Sequence, residues 1–154
     1  MNEIIERASR AFFVDDPRLD SECLCQECLE LNEIIANRSP LDVPKEVSGT
    51  LCLLSGEALR YFTPGLMKIC MEEGEGYGDL SVNYQTILSA PISKKSPPHW
   101  HPTYGRLNLP QTEIIYDFLC FLNESWFVAE KEEPGREWLR MMENWKWFLE
   151  CAKN

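Results

Sequence analysis

Histidine is scarce in this chain, which has only two, His99 and His101, against 25 acidic and 15 basic residues. The basic deficit leaves a formal charge of −10. Nucleic acid is therefore not an expected partner, because phosphate binding needs a basic patch that releases counterions. An anionic membrane surface is disfavoured on the same grounds. No apolar run approaches the ~18 residues that a membrane span requires. Met1-Asn2-Glu3 leads into an amphipathic segment without a basic stretch followed by an apolar one, so no signal peptide is expected. The HExxH, GxSxG and P-loop patterns are missing, and no catalytic residue set is legible. Internal repeats, low-complexity tracts and sustained β-branched alternation are missing as well.

What is present has the make-up of an ordinary soluble globule. The 154 residues are 44% hydrophobic and 26% charged, enough to build one domain with a core and no staples. Seven cysteines, an odd number, in a chain without an export signal lead to an expected cytoplasmic location with free thiols.

Apolar periodicity predicts helices along most of the chain. Ile4, Ala8, Ala11 and Phe12 share one face over residues 3–14. A second helix is predicted from the capping residues Asp20 and Ser21 to about Asn37, with Leu24, Cys28, Leu31 and Ile35 as its stripe. Ser55 can cap a third, carrying Ala58, Phe62, Leu66 and Ile69. Pro64 within it predicts a kink or two abutting helices. Residues 73–108 read as a long irregular connection, in which Ser81–Leu88 is a short strand or extended stretch. Pro110 opens a helix with a broad apolar face, Ile114, Ile115, Phe118, Leu119, Phe121 and Leu122. Pro134 opens the last, with Trp138, Met142, Trp145, Leu149 and Ala152 in line. The expected fold is all-α, a single domain over 1–154 with five or six helices.

The residues closest to chemistry are Cys23, Cys25 and Cys28. On a helix turning about 100° per residue, Cys23 and Cys25 point about 160° apart and cannot share a tetrahedral ion. Cys25 and Cys28 can, and a zinc site would then draw its other two ligands from His99 and His101. Against this stands the plainer reading of small side chains packed in a core. A thioredoxin-like pair is weaker still. It needs Cys25 at a helix N-terminus, and Glu22, Glu27 and Glu30 would raise the thiol pKa. Gly74-x-Gly76-x-Gly78 follows a helix among acidic residues, so it reads as a linker and not a phosphate loop. Trp147 lies almost opposite the stripe of the last helix, and Trp100 sits in a proline-flanked loop. These two are the candidate partner-binding residues.

Two stretches are similar to a bacterial family of small helical proteins of unknown function. One runs Leu51-Cys52-Leu53-Leu54-Ser55-Gly56-Glu57-Ala58-Leu59-Arg60-Tyr61-Phe62-Thr63-Pro64-Gly65-Leu66. The other is Leu109-Pro110-Gln111 followed by Ile114, Ile115, Phe118, Leu119, Phe121 and Leu122. The likeness spans residues about 22–72 and 106–124. One branch of that family carries a Cys-x-x-Cys, matched by Cys25 and Cys28, but its flanking histidines are replaced here by Leu24 and Leu31. The resemblance implies an α-helical domain and no particular activity.

These readings combine into an acidic, non-catalytic protein–protein interaction module, of immunity or antitoxin type, that masks a basic partner. Homodimerisation through the last helix is compatible with it. The alternative is a small zinc-binding protein or hydrolase-like enzyme built on Cys25, Cys28, His99 and His101.

Overall fold

The structure, a computed structural model, describes residues 3–15, 23, 25–72, 78–90, 95, 97 and 99–154. As expected, the fold is all-α: six α-helices with only a two-stranded hairpin among the described residues. The chain divides into two compact units, Met1–Ile87 and Leu88–Asn154.

In the first unit α1 (Glu3–Ala11) buries Ile5 and Ala8, with Phe12 just beyond its end, and packs on α3 (Gly56–Glu72). Helix α2 (Gln26–Ile35) buries Cys28, Leu31 and Ile35, the stripe expected of it. Its start departs from expectation. Cys25 has an extended backbone (φ −69°, ψ 156°) and is the N-cap, so neither it nor Cys23 belongs to the helix. Asp20, Ser21 and Leu24 lie outside the described residues. Good capping residues are only a weak prior for where a helix begins, and tertiary packing overrides it.

Ser55 caps α3 as expected, its hydroxyl accepting from the Ala58 N–H at 3.1 Å. Pro64 neither ends the helix nor splits it in two. Proline has no N–H to give, and the next N–H, that of Gly65, donates to the Pro40 carbonyl at 3.1 Å. The interruption of the ladder thereby ties the 39–44 connector to the buried face of α3.

Ser81–Leu88, expected to be extended, is instead part of helix α4 (Gly78–Leu88). Leu80, Tyr84, Ile87 and Leu88 are buried at offsets of four, seven and eight, a helical stripe that Val82 and Thr86 obscured. The Ser81 hydroxyl donates to the Cys70 thiol at 3.4 Å, and the Asn83 amide to the Ser48 carbonyl at 2.5 Å. These bonds fix α4 against α3 and against the end of a short 3-10 turn, Lys45–Val47. Of the glycine run, Gly74 and Gly76 lie outside the described residues, and Gly78 begins α4.

The second unit contains a small hairpin, β1 (Trp100–His101) against β2 (Gly105–Arg106), where an irregular loop was expected. Residues 73–108 are thus not one long irregular connection. Helix α5 (Leu109–Asn123) opens with Pro110 in its first turn and a capping box, in which Asn108 and Gln111 each accept from the other's backbone N–H. Asn108→Ala should cost about 1 kcal/mol, read as a lower urea midpoint of tryptophan fluorescence. All five tryptophans lie at or beyond residue 100, so this signal reports the second unit alone.

Helix α6 (Arg136–Lys153) packs along α5. It buries Trp138, Met141, Trp145, Phe148 and Ala152. The expected stripe ran through Met142 and Leu149, which are half-buried; the seated face is turned by one residue. Alternating offsets of three and four are the spacing by which one helix meets another. A π-helical turn, Glu124–Val128, follows α5 and sets Trp126 and Phe127 against Trp138, whose indole N–H donates to Asn123 Oδ1 at 2.9 Å.

Candidate functional site

Because α2 begins at Gln26, Cys23 and Cys25 are released from helical geometry. The 160° argument that separated Cys23 from Cys25 does not apply to an extended chain. The thiols of Cys23, Cys25 and Cys28 all lie within 4.8 Å of one another. Among the described residues no other group of three or more histidine, cysteine or acidic side chains converges in this way. Cys23 and Cys25 are exposed, and Cys28 is buried on the core stripe. All seven cysteines are free thiols.

Cys25 also meets the condition that the thioredoxin-like reading was thought to fail. It stands at a helix N-terminus, and its thiol pKa is lowered. The largest cause is a hydrogen bond from the Cys28 backbone N–H, then bonds from the Cys23 and Cys28 side chains. Burial and the Glu27 charge oppose the shift and do not overcome it. The expectation that neighbouring acidic residues decide this thiol is therefore corrected. The first helical turn leaves N–H groups free beside the N-cap, that of Cys28 among them, whereas Glu27 is exposed to screening solvent.

The histidines belong to the second unit. His99 is half-buried with φ 68°, a left-handed conformation at the entry to the hairpin, and its carbonyl accepts from the Leu107 N–H at 2.6 Å. His101 is fully buried. Its Nδ1 accepts from the backbone N–H groups of Thr103 (3.2 Å) and Tyr104 (3.3 Å). An accepting Nδ1 places the ring proton on Nε2, which has no hydrogen-bond partner among the described residues. In that tautomer neither nitrogen offers a lone pair to a metal. The ring stacks on Trp145 (5.0 Å between centroids, 17° between planes) and meets Tyr104 edge-on. Burial lowers its pKa to about 4. His101 is a neutral core residue that shapes the hairpin turn.

Of the two candidate partner-binding tryptophans, Trp100 is exposed and Trp147 is half-buried. The residue that sequence reasoning set aside is Cys23. The signal for it was the spacing of three cysteines in six residues, discounted through a helix boundary placed too early.

No protein-family model, no curated protein and no solved structure matches this chain. The resemblance to the bacterial helical family thus adds nothing to the reading of the site. No helix among the described residues is long and apolar enough to cross a membrane.

Proposed function

We infer that this chain is a metal-binding protein whose ion is held by Cys23, Cys25 and Cys28. The observation that carries the reading is the convergence of three thiols within 4.8 Å at the start of α2. Zinc–sulfur bonds of ~2.3 Å at tetrahedral angles set sulfurs ~3.8 Å apart, so the cluster contracts by about an ångström at most. Two of its three members stand outside the helix, where the backbone can follow that contraction. An all-thiolate set is soft and suits zinc(II) or copper(I), not the hard cations that carboxylates and carbonyls bind. Three protein ligands leave zinc a fourth position for water or an incoming ligand.

Anaerobic titration of the reduced chain with zinc is expected to saturate at one equivalent, with copper(I) as a parallel arm. Serine at position 23, 25 or 28 should weaken binding about tenfold or more, and Cys52→Ser should not. Affinity should fall as pH is lowered, because each ligand must surrender a proton. Undiminished binding by the Cys23→Ser/Cys25→Ser/Cys28→Ser triple variant would rule the site out. A reducing cytoplasm is the compartment that suits these free thiols.

A second reading, a non-catalytic module that engages a basic protein, is supported by the charge of −10 and the exposed side chains of Trp100, Val128 and Leu139. It predicts a stoichiometric basic partner on native purification, lost steeply as salt rises. Recovery of the chain alone at low salt would count against it.

A further inference from the structure

The three cysteines are not equivalent, and the difference points to chemistry beyond holding an ion. Cys25 is exposed at the N-cap, and Cys28, in the first turn of the same helix, is 3% exposed. A reactant in solution can reach the first and not the second. The N-cap conformation folds a side chain back over the third helical residue. Here the Cys25 sulfur lies within 4.8 Å of the Cys28 sulfur, close to the atom it would bond. Cys28 in turn is held by the core stripe with Leu31 and Ile35.

We propose that Cys25 and Cys28 form a thiol–disulfide switch, in which Cys25 attacks a small-molecule disulfide and the buried Cys28 closes the protein disulfide. In the first step the Cys25 thiolate, its proton given to solvent, attacks one sulfur of a disulfide such as glutathione disulfide. A Cys25–glutathione bond forms, the S–S bond of the reagent breaks, and one glutathione leaves as thiolate. In the second step the Cys28 thiolate attacks Sγ of Cys25, and the second glutathione departs. The protein dithiol loses two electrons, the reagent gains them, and the two protons end on the two glutathione thiols. Access assigns the order of attack. Cys28 cannot meet the reagent first, and exchange needs an approach along the S–S axis. Cys23 takes no part in the bond. It is exposed, lies within 4.8 Å of the Cys25 sulfur and is left as a single thiol. The release of the ion rests on the metal reading above, since disulfide formation removes two of the three sulfurs. The disulfide itself does not depend on that reading.

The test uses the full chain, reduced and metal-free, incubated with glutathione and glutathione disulfide at a series of ratios. It is quenched with acid, alkylated and mapped by mass spectrometry. A Cys25–Cys28 disulfide is expected, with Cys23 alkylated. Cys28→Ser should accumulate the mixed disulfide at Cys25, and Cys25→Ser should react about tenfold or more slowly. Cys23→Ser should still form the bond. In a parallel sample loaded with zinc, a chromogenic chelator should register ion release in step with disulfide formation. A bond that includes Cys23, or a Cys28→Ser variant that traps no glutathione on Cys25, would overturn the switch whatever the metal result. Disulfide formation in a chain that never binds zinc would uphold the switch and sink the metal reading alone.

Discussion

Acidification from pH 7 to pH 4 is expected to remove about 3 kcal/mol from the stability of the second unit through His101 alone. Burial lowers this imidazole from 6.5 to about 4 in the folded chain. The unfolded chain therefore takes up the proton first as pH falls. Below 6.5 the unfolded state binds more protons than the native one, and stability must fall with pH until the native ring also titrates near 4. Above 6.5 the contribution is fully present. The measurement is urea unfolding followed by tryptophan fluorescence at pH 7, 6, 5 and 4, for the wild type and His101→Asn. Asparagine keeps an acceptor that can serve the backbone N–H groups two and three residues on. It loses the ring stacked on Trp145, so it should be the less stable protein at pH 7. The gap between the two should then narrow by about 3 kcal/mol on reaching pH 4. A gap that stays constant with pH would mean that the buried ring is protonated at no cost.

Gly65→Ala should destabilise the first unit by roughly 1–3 kcal/mol, against the usual direction of that change in a helix. Alanine inside a helix normally gains up to about 1 kcal/mol over glycine. At position 65 the added carbon would stand 2.5 Å from the Pro40 carbonyl oxygen and 2.6 Å from Val43 Cγ2. One of these is backbone, and it accepts the Gly65 N–H itself, so relief would break the bond that offsets Pro64. Hydrogen exchange across 56–72 reads this locally, with faster exchange expected in the variant. Gly78→Ala is the control. No described residue lies within 4 Å of its added carbon, at an exposed helix start, and it should be neutral or slightly stabilising. Equal behaviour of the two variants would mean that α3 and the connector are not as close as described.

Much of the first-order architecture was legible because it depends on neighbours in sequence. Ser55 marks the start of α3 through a bond that spans three residues, and Pro110 marks the first turn of α5. The stripe of α2 came through on the same basis, whereas α1 keeps Ala8 and Phe12 but buries Ile5 where Ile4 was expected and leaves Ala11 half-buried. The misreadings have one cause. Val82, Thr86 and Ile87 favour a strand locally, yet burial of Leu80, Tyr84 and Leu88 makes the segment helical. On α6 Met141 and Met142, or Phe148 and Leu149, are equally apolar neighbours, and only the surface of α5 selects between them.

The cysteine site shows the same division. Residue order alone puts three thiols within six positions, limits the chain to two histidines and spaces its apolar side chains at a helical period. The start of α2 after Cys25 and the commitment of His101 Nδ1 to the hairpin turn emerge only in the folded chain. The physical reason is that a helix boundary and a buried tautomer are settled by contacts between residues far apart in sequence. Moving that boundary by about five residues brings Cys23, which helical geometry sets opposite Cys25, within 4.8 Å of the other two thiols.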